Sequence, residues 1–163
     1  MIQSLIHFFA SFPPEVATFL MAMTPVGEVR LSIPVGVFAY HLHPMTVLLI
    51  SIAGNFVPVL FILLLADKFH IWVSKKSGVL ASGWVKALNR AQEKFAGDYK
   101  KYGLIGLMIF IGIPLPGTGA YTGALAAFVF GIPFKNSWPY VLVGIAISGI
   151  LTLLITVGAD KIF

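Results

Sequence analysis

Cysteine is absent from this sequence, which excludes disulfide bonds, thiol chemistry and thiolate metal sites. Charge is scarce as well: only 10% of the 163 residues are Asp, Glu, Lys or Arg, whereas a soluble globular domain has about a quarter. Hydrophobic residues make up 58% of the chain, and its mean hydropathy is +0.94. The composition therefore indicates that much of the folded chain is surrounded by lipid instead of water. Because a helix satisfies its own backbone hydrogen bonds, the composition predicts an all-α integral membrane protein with a single membrane domain.

The motifs of common enzyme classes are also missing. The chain has no P-loop, no G-x-S-x-G nucleophile elbow and no H-E-x-x-H zinc motif, and its four histidines are not spaced as metal ligands. We therefore predict that the protein is not an enzyme and binds no metal or cofactor.

Positive charge is concentrated in one stretch between apolar segments. Residues 68–101 contain eight Lys or Arg and two acidic residues, which accounts for the net charge of +5. A nucleic-acid site is one explanation of such a cluster. The positive-inside rule, by which loops rich in Lys and Arg stay in the cytoplasm, explains it more simply. Lys86, Arg90 and Lys94 form an i, i+4 row, so residues 70–101 are predicted to form a basic amphipathic linker helix, either on anionic headgroups or against the protein itself. We expect a multi-pass protein of the cell membrane with a cytoplasmic linker and no nucleic-acid partner.

Two apolar segments are predicted to be full transmembrane helices. Residues 45–66 and 137–157 contain no charged residue. Each has about the 20 residues that a helix needs to cross ~30 Å of hydrocarbon.

Two other apolar segments, residues 15–42 and 102–134, are interrupted near their middles by proline and glycine, at residues 24–30 and 113–119. Proline removes a backbone donor, and broken backbone at membrane depth needs protein or water to satisfy it. We predict that both segments are re-entrant helical hairpins. Broken helices that cross the membrane completely are the alternative.

The spacing of prolines indicates an internal repeat. Pro25 and Pro44 are nineteen residues apart, as are Pro114 and Pro133, so one offset of 89 superposes both pairs. With the linker in the cytoplasm, the first hairpin would enter from outside and the second from inside, which is an inverted repeat. Chance similarity of two membrane segments is the alternative. The predicted parts are a first repeat (1–69), a linker (70–101) and a second repeat (102–163).

Glu28 and Arg30, beside the first break, are the only ionisable pair predicted to lie at membrane depth. A charge near the bilayer centre costs at least ~2.5–3.5 kcal/mol on insertion scales, so both should face protein or water. We expect Glu28 to cap the short helix that starts after Gly27. The functional interpretation makes Glu28 a proton or cation site and Arg30 a clamp for an anionic group. The structural alternative is a network that holds the hairpin tip together.

The second break offers backbone donors rather than charge. A helix that starts after a Pro-Gly turn presents free N–H groups, which bind anions well. Opposed hairpins would bring both tips together near the midplane, where transporter sites commonly lie. Asn55, on a transmembrane helix, is expected either to line this cavity or to bond to a neighbouring helix. The candidate substrate- or ion-binding residues are Glu28, Arg30, Pro34, Asn55, Pro114, Pro116, Gly117, Thr118, Gly119, Tyr121, Thr122 and Gly123.

Two motifs resemble a known family. Residues 25–34 read PVGEVRLSIP and residues 113–128 read IPLPGTGAYTGALAAF. They are similar to the motifs of the small multidrug export protein family, and the resemblance covers nearly the whole chain. It implies a small multi-pass membrane exporter, with no particular substrate defined.

More distantly, the paired hairpins resemble the DedA and VTT membrane proteins, which implies movement of lipids or lipid-linked phosphates. Those proteins typically have an arginine in the second hairpin, and this chain has none there, so a two-arginine phosphate site is not carried over. Three functions remain open: a small-molecule or drug exporter coupled to an ion or proton, a lipid or polyprenyl-phosphate flippase, and a membrane assembly protein without transport activity. The expected partners are membrane lipid, the substrate and, because so few helices enclose little of a pathway, a second copy of the chain.

Overall fold

The computed structural model describes residues 11–75, 103–114 and 119–160, and all regular structure within these ranges is helical. This confirms the prediction of an all-α fold. In chain order the elements are α1 (Pro14–Ala22), α2 (Glu28–Pro34), the π-helical segment π1 (Val35–Ala39), α3 (Pro44–Ser74), α4 (Leu104–Gly112), α5 (Ala120–Val129) and α6 (Phe134–Asp160).

Among the described residues, two helices are long and apolar enough to cross a membrane: the part of α3 at Pro44–Ala66 and the part of α6 at Phe134–Ala159. At about 1.5 Å per residue, the 23 and 26 residues of these parts exceed ~30 Å of hydrocarbon. They agree with the predicted segments 45–66 and 137–157. Helix α3 continues to Ser74, so it extends beyond the predicted start of the linker at residue 70.

Both predicted breaks separate short helices. Helix α1 ends at Ala22 and α2 begins at Glu28, while α4 ends at Gly112 and α5 begins at Ala120. Because α1 and α4 have nine residues each, either one spans only about half of the hydrocarbon thickness.

Proline also explains a local change of helix type in the first half. Helix α2 ends at Pro34, and the π-helical segment π1 follows directly. Pro34 has no N–H to donate to the carbonyl four residues earlier, so the regular helical ladder is interrupted at this point. A π-helical segment is a common way to absorb such an interruption.

Within each half, the two short helices fold back on one another. A Cβ added at Gly36 of π1 would lie 3.3 Å from the Thr18 hydroxyl of α1. In the second half, a Cβ added at Gly123 of α5 would lie 2.4 Å from the Ile111 side chain of α4. In each half the chain therefore turns back at the break, and the two short helices contact each other.

The long helices pack on the first short helix of their own half in matching ways. A Cβ added at Gly54 of α3 would lie 2.5 Å from the Phe19 carbonyl of α1, and one added at Gly144 of α6 would lie 2.9 Å from the Met108 carbonyl of α4. The two carbonyls are 89 positions apart and the two glycines 90. The close glycine contact thus recurs at the sequence offset that the prolines indicated.

The two halves also pack on each other reciprocally. Helix α2 contacts α6 of the other half, α5 contacts α3, and the two long helices contact each other. One hydrophobic core contains residues of both halves, including Val59 of α3, Ala124 of α5 and Ile145 of α6. The predicted linker helix at 70–101, with its basic row, lies mostly outside the described residues.

Candidate functional site

The two breaks, far apart in sequence, meet in the folded chain. The Tyr121 N–H donates to Glu28 Oε1 at 3.4 Å, and Arg30 Nη2 donates to the Ile113 carbonyl at 3.3 Å. The Tyr121 hydroxyl donates to the Met23 carbonyl. Three contacts therefore connect the first break to the second, and each uses a backbone group.

The side chain of Glu28, the first residue of α2, contacts the first turn of α5. Its carboxylate accepts a hydrogen bond from the backbone N–H of Tyr121, and only 8% of the residue is exposed. This amide, in the first turn of α5, has no partner within its own helix, and the helix dipole favours negative charge at this end. The positive charge of Arg30 adds a favourable interaction. The buried carboxylate is thus compensated mainly by the opposite half of the molecule.

The prediction that Glu28 caps its own helix is wrong. Helix α2 has Gly27 at its N-cap position and no side-chain capping bond. Glu28 is the first residue inside α2, so its side chain does not occupy the position from which a cap reaches the free amides. It stabilises a helix start, but that of α5.

Gly119 allows this close approach. A Cβ added at Gly119 would lie 2.6 Å from both carboxylate oxygens of Glu28. Its backbone is extended, with φ 169° and ψ 178°, so the glycine is required by lack of space and not by backbone strain.

The first break is held by a local hydrogen-bond network. The Thr24 hydroxyl donates to the Met21 carbonyl at 2.8 Å and accepts the Gly27 N–H at 3.0 Å. Glu28 has φ 44°, a left-handed conformation that non-glycine residues seldom adopt, and its N–H donates to the Thr24 carbonyl at 3.0 Å. Such backbone strain costs on the order of 1–3 kcal/mol and clusters at functional sites.

Pro114 sets the direction of the carbonyl that Arg30 contacts. A residue before proline is disfavoured in the helical region, and Ile113 accordingly has φ −78° and ψ 120°. Helix α4 ends just before Ile113, and the Ile113 carbonyl accepts a hydrogen bond from the Arg30 guanidinium. Pro114 therefore affects the site through its neighbour.

A polar row on α3 lies beside α2. The Ser32 hydroxyl lies 2.8 Å from the Ser51 hydroxyl and 2.8 Å from the Glu28 carbonyl. Asn55 follows Ser51 by one turn and is 1% exposed. Sequence analysis did not single out Thr24 or Ser32; the only available signal was their position one turn before and after Glu28.

The structure does not bring every candidate residue to the contact. Pro34 lies at the junction of α2 and π1; Thr122 is exposed, with its hydroxyl donating to the Gly119 carbonyl; and Gly123 packs against Ile111. Pro116, Gly117 and Thr118 lie outside the described residues.

No group of three His, Asp or Glu side chains that could hold a metal ion occurs within the part of the chain that the structure describes. The site instead combines one carboxylate, one guanidinium and several backbone groups. Its chemistry suits charge-dependent binding and release.

Comparison with known proteins identifies the family. The family described as "Putative small multi-drug export protein" matches residues 28–151, a stretch that begins at the Glu28 carboxylate and includes the whole second break. No curated protein and no solved structure matches the chain. The family's name suggests export and is not that of an enzyme class, and the two long apolar helices are compatible with a membrane protein. The chain belongs to the small multi-drug export protein family.

Proposed function

We propose that this member of the small multi-drug export protein family is a transporter whose moving part is the contact between its two breaks. Glu28 binds the cation that couples transport, and Arg30 with the turn at Gly117 to Gly119 contacts the substrate. The observation that carries the proposal is the buried Glu28 carboxylate on the first turn of α5, because this charge of the first half is bound by a backbone donor of the second half.

Neutralisation of Glu28 would weaken this contact. An ionised carboxylate makes hydrogen bonds to backbone N–H groups that are roughly twice as strong as those of a neutral acceptor. When a cation neutralises Glu28, the hairpins can separate, and the first amides of α5 become available together with Arg30. Both favour an anionic or strongly polar group of the substrate.

We further propose that the short-helix pairs are re-entrant hairpins that enter a cell membrane from opposite sides as an inverted repeat. Support comes from the half-thickness lengths of α1 and α4 and from the matched contacts of Gly54 and Gly144. Reciprocal packing of α2 on α6 and α5 on α3 is what a two-fold relation produces. The basic linker then lies in the cytoplasm.

Cysteine accessibility tests this arrangement, since the chain has no native cysteine to remove. Single cysteines at Glu15 and His43 flank the first hairpin, and one at Lys135 follows the second. A membrane-impermeant thiol reagent should label the first two from one side and the third from the other. Labelling of positions 15 and 43 from opposite sides would mean that the first segment crosses the membrane.

Transport itself is tested in proteoliposomes, with carboxyfluorescein as an organic anion probe and an imposed ion gradient. The purified chain should move the probe, Glu28→Gln should abolish its dependence on the gradient, and Arg30→Ala should reduce substrate affinity. Glu15→Gln is the matched control, because Glu15 is an exposed carboxylate in the first turn of α1. Unchanged transport in both site variants would remove the assignment of these residues.

Lipid translocation is the second candidate function. It is favoured by a cavity of about 380 Å³ between α4 and α5 with an almost entirely apolar lining, which suits an acyl chain. The residues that line it are Gly103, Gly106, Leu107, Phe110, Ala126 and Phe130. Movement of a fluorescent phospholipid without movement of carboxyfluorescein would favour this function. If neither probe moves and the Glu28 and Arg30 variants only lose stability, the assembly function applies.

A further inference from the structure

Asn55 places an unused acceptor in the interior of the protein. The residue is 1% exposed, and its Oδ1 accepts no hydrogen bond from residues 11–75, 103–114 or 119–160. A buried polar atom without a partner is unfavourable, and such groups are rare in native interiors. A donor that is present in only one state of the protein would explain why an asparagine occupies this position.

Helix register sets Asn55 level with Glu28. In the antiparallel pair formed by α3 with α2 and π1, Gly36 packs on Val47, and Ser32 lies 2.8 Å from Ser51. From the first of these pairs to the second, the residue number falls by four on the first segment and rises by four on α3, which is about one helical turn on each. One further step of the same size leads from Ser32 to Glu28 and from Ser51 to Asn55, so Glu28 and Asn55 lie at the same level.

Helix α5 approaches the same level from the other side. It packs against α3, and its first turn carries the amide that holds the Glu28 carboxylate. Glu28 thus lies between two different partners: a donor on α5, which suits an ionised carboxylate, and the Asn55 acceptor on α3, which suits a protonated one.

Few other titratable groups face Glu28 from the described elements. Arg30 on α2 and Tyr121 on α5 interact with it electrostatically. The membrane-spanning part of α3 has no titratable residue. The remaining titratable side chains of α1, π1, α4, α5 and the membrane-spanning part of α6 (Phe134–Ala159) are Glu15 near the start of α1 and Lys135 and Tyr140 near the start of α6; Tyr40 directly follows π1.

We propose that Glu28 and Asn55 form a proton-binding site. A proton taken from water forms an O–H bond on the Glu28 carboxylate, and this O–H donates to Asn55 Oδ1 while the carboxyl leaves the amide of α5. The inference rests on the proposed transport function, for which it makes the proton the coupling cation. A protonated carboxyl needs a single acceptor, whereas Ca²⁺, for example, requires about six to eight oxygen ligands.

Infrared difference spectroscopy tests the site without any transport substrate. The full chain in lipid vesicles is acidified in sodium-free buffer, and a protonated carboxyl C=O band should appear that Glu28→Gln removes. In Asn55→Leu the band should move to higher wavenumber, because the carboxyl has lost its acceptor. Its titration midpoint should fall, with proton affinity lower by about 2- to 10-fold, the equivalent of one hydrogen bond. Thr156→Val is the control and should leave the band unchanged, because Thr156 is a buried polar residue of α6 whose hydroxyl donates to the Thr152 carbonyl and not to the proposed site.

An identical band in the purified chain and in Asn55→Leu would overturn the proposal, as would a Glu28 band that sodium suppresses. Asn55→Ala provides the same comparison if Asn55→Leu does not fold. A chain that shows the shifted band but moves neither carboxyfluorescein nor lipid would retain the proton site and refute the transport function.

Discussion

Alanine at position 119 is the most direct perturbation of the contact between the two breaks. The added methyl would lie 2.6 Å from both Glu28 oxygens, and ordinary contact begins at 3.4 Å, so the carboxylate must withdraw by about 0.8 Å. The Tyr121 N–H to Glu28 distance is already 3.4 Å, and a withdrawal of this size removes the bond. Hydrogen bonds to charged groups contribute about 1.5–3 kcal/mol. We therefore expect Gly119→Ala to lower the free energy of unfolding by that amount.

Reversible unfolding by SDS in mixed micelles measures this free energy, and a double-mutant cycle isolates its cause. In a Glu28→Ala background the methyl meets no carboxylate, and the extended backbone accepts alanine, so Gly119→Ala should cost little. Gly106→Ala is the control, because no atom lies within 4 Å of the added carbon and alanine favours helix by up to about 1 kcal/mol. An equal cost of Gly119→Ala in both backgrounds would refute the placement of Glu28 on α5.

Two other kinds of contact give predictions for the same SDS unfolding measurement. Tyr121→Phe removes the hydroxyl that donates to Met23 and should lower the free energy of unfolding by about 0.5–1.5 kcal/mol; no change would contradict this bridge. Gly54→Ala and Gly144→Ala each direct a methyl at a backbone carbonyl and should each cost about 1–3 kcal/mol. Gly158→Ala, with no atom within 4 Å, should be nearly neutral, and a cost for only one of the first two glycines would contradict matched packing of the halves.

The elements themselves could be predicted because their signals are local. Length and absence of charge identify the long helices, and Pro25 and Pro114 identify the breaks, since proline acts on the residues next to it in sequence. The glycine contacts of α3 and α6 lie 90 positions apart, one more than the proline offset of 89, and the internal repeat stays a prediction.

The partner of Glu28 could not be predicted in this way. A local rule assigns a carboxylate to the nearest helix start, whereas the observed donor, Tyr121, is 93 residues away in sequence. The left-handed conformation of Glu28 is equally invisible, because it is stabilised by the surrounding structure and not by residue preference. The link between Ser32 and Ser51 likewise depends on how α2 and α3 align.

Each hairpin rests partly on the long helix of the opposite half: α2 on α6, and α5 on α3. During synthesis, α1 to α3 therefore reach the membrane before the helices that complete their interior exist. The surfaces of α2 and α3 that contact the second half therefore stay unpacked until α5 and α6 have been inserted. In this respect the molecule assembles like a dimer whose two subunits share one polypeptide. Two fragments produced by dividing the chain between residues 76 and 102 should be stable only when they are made together.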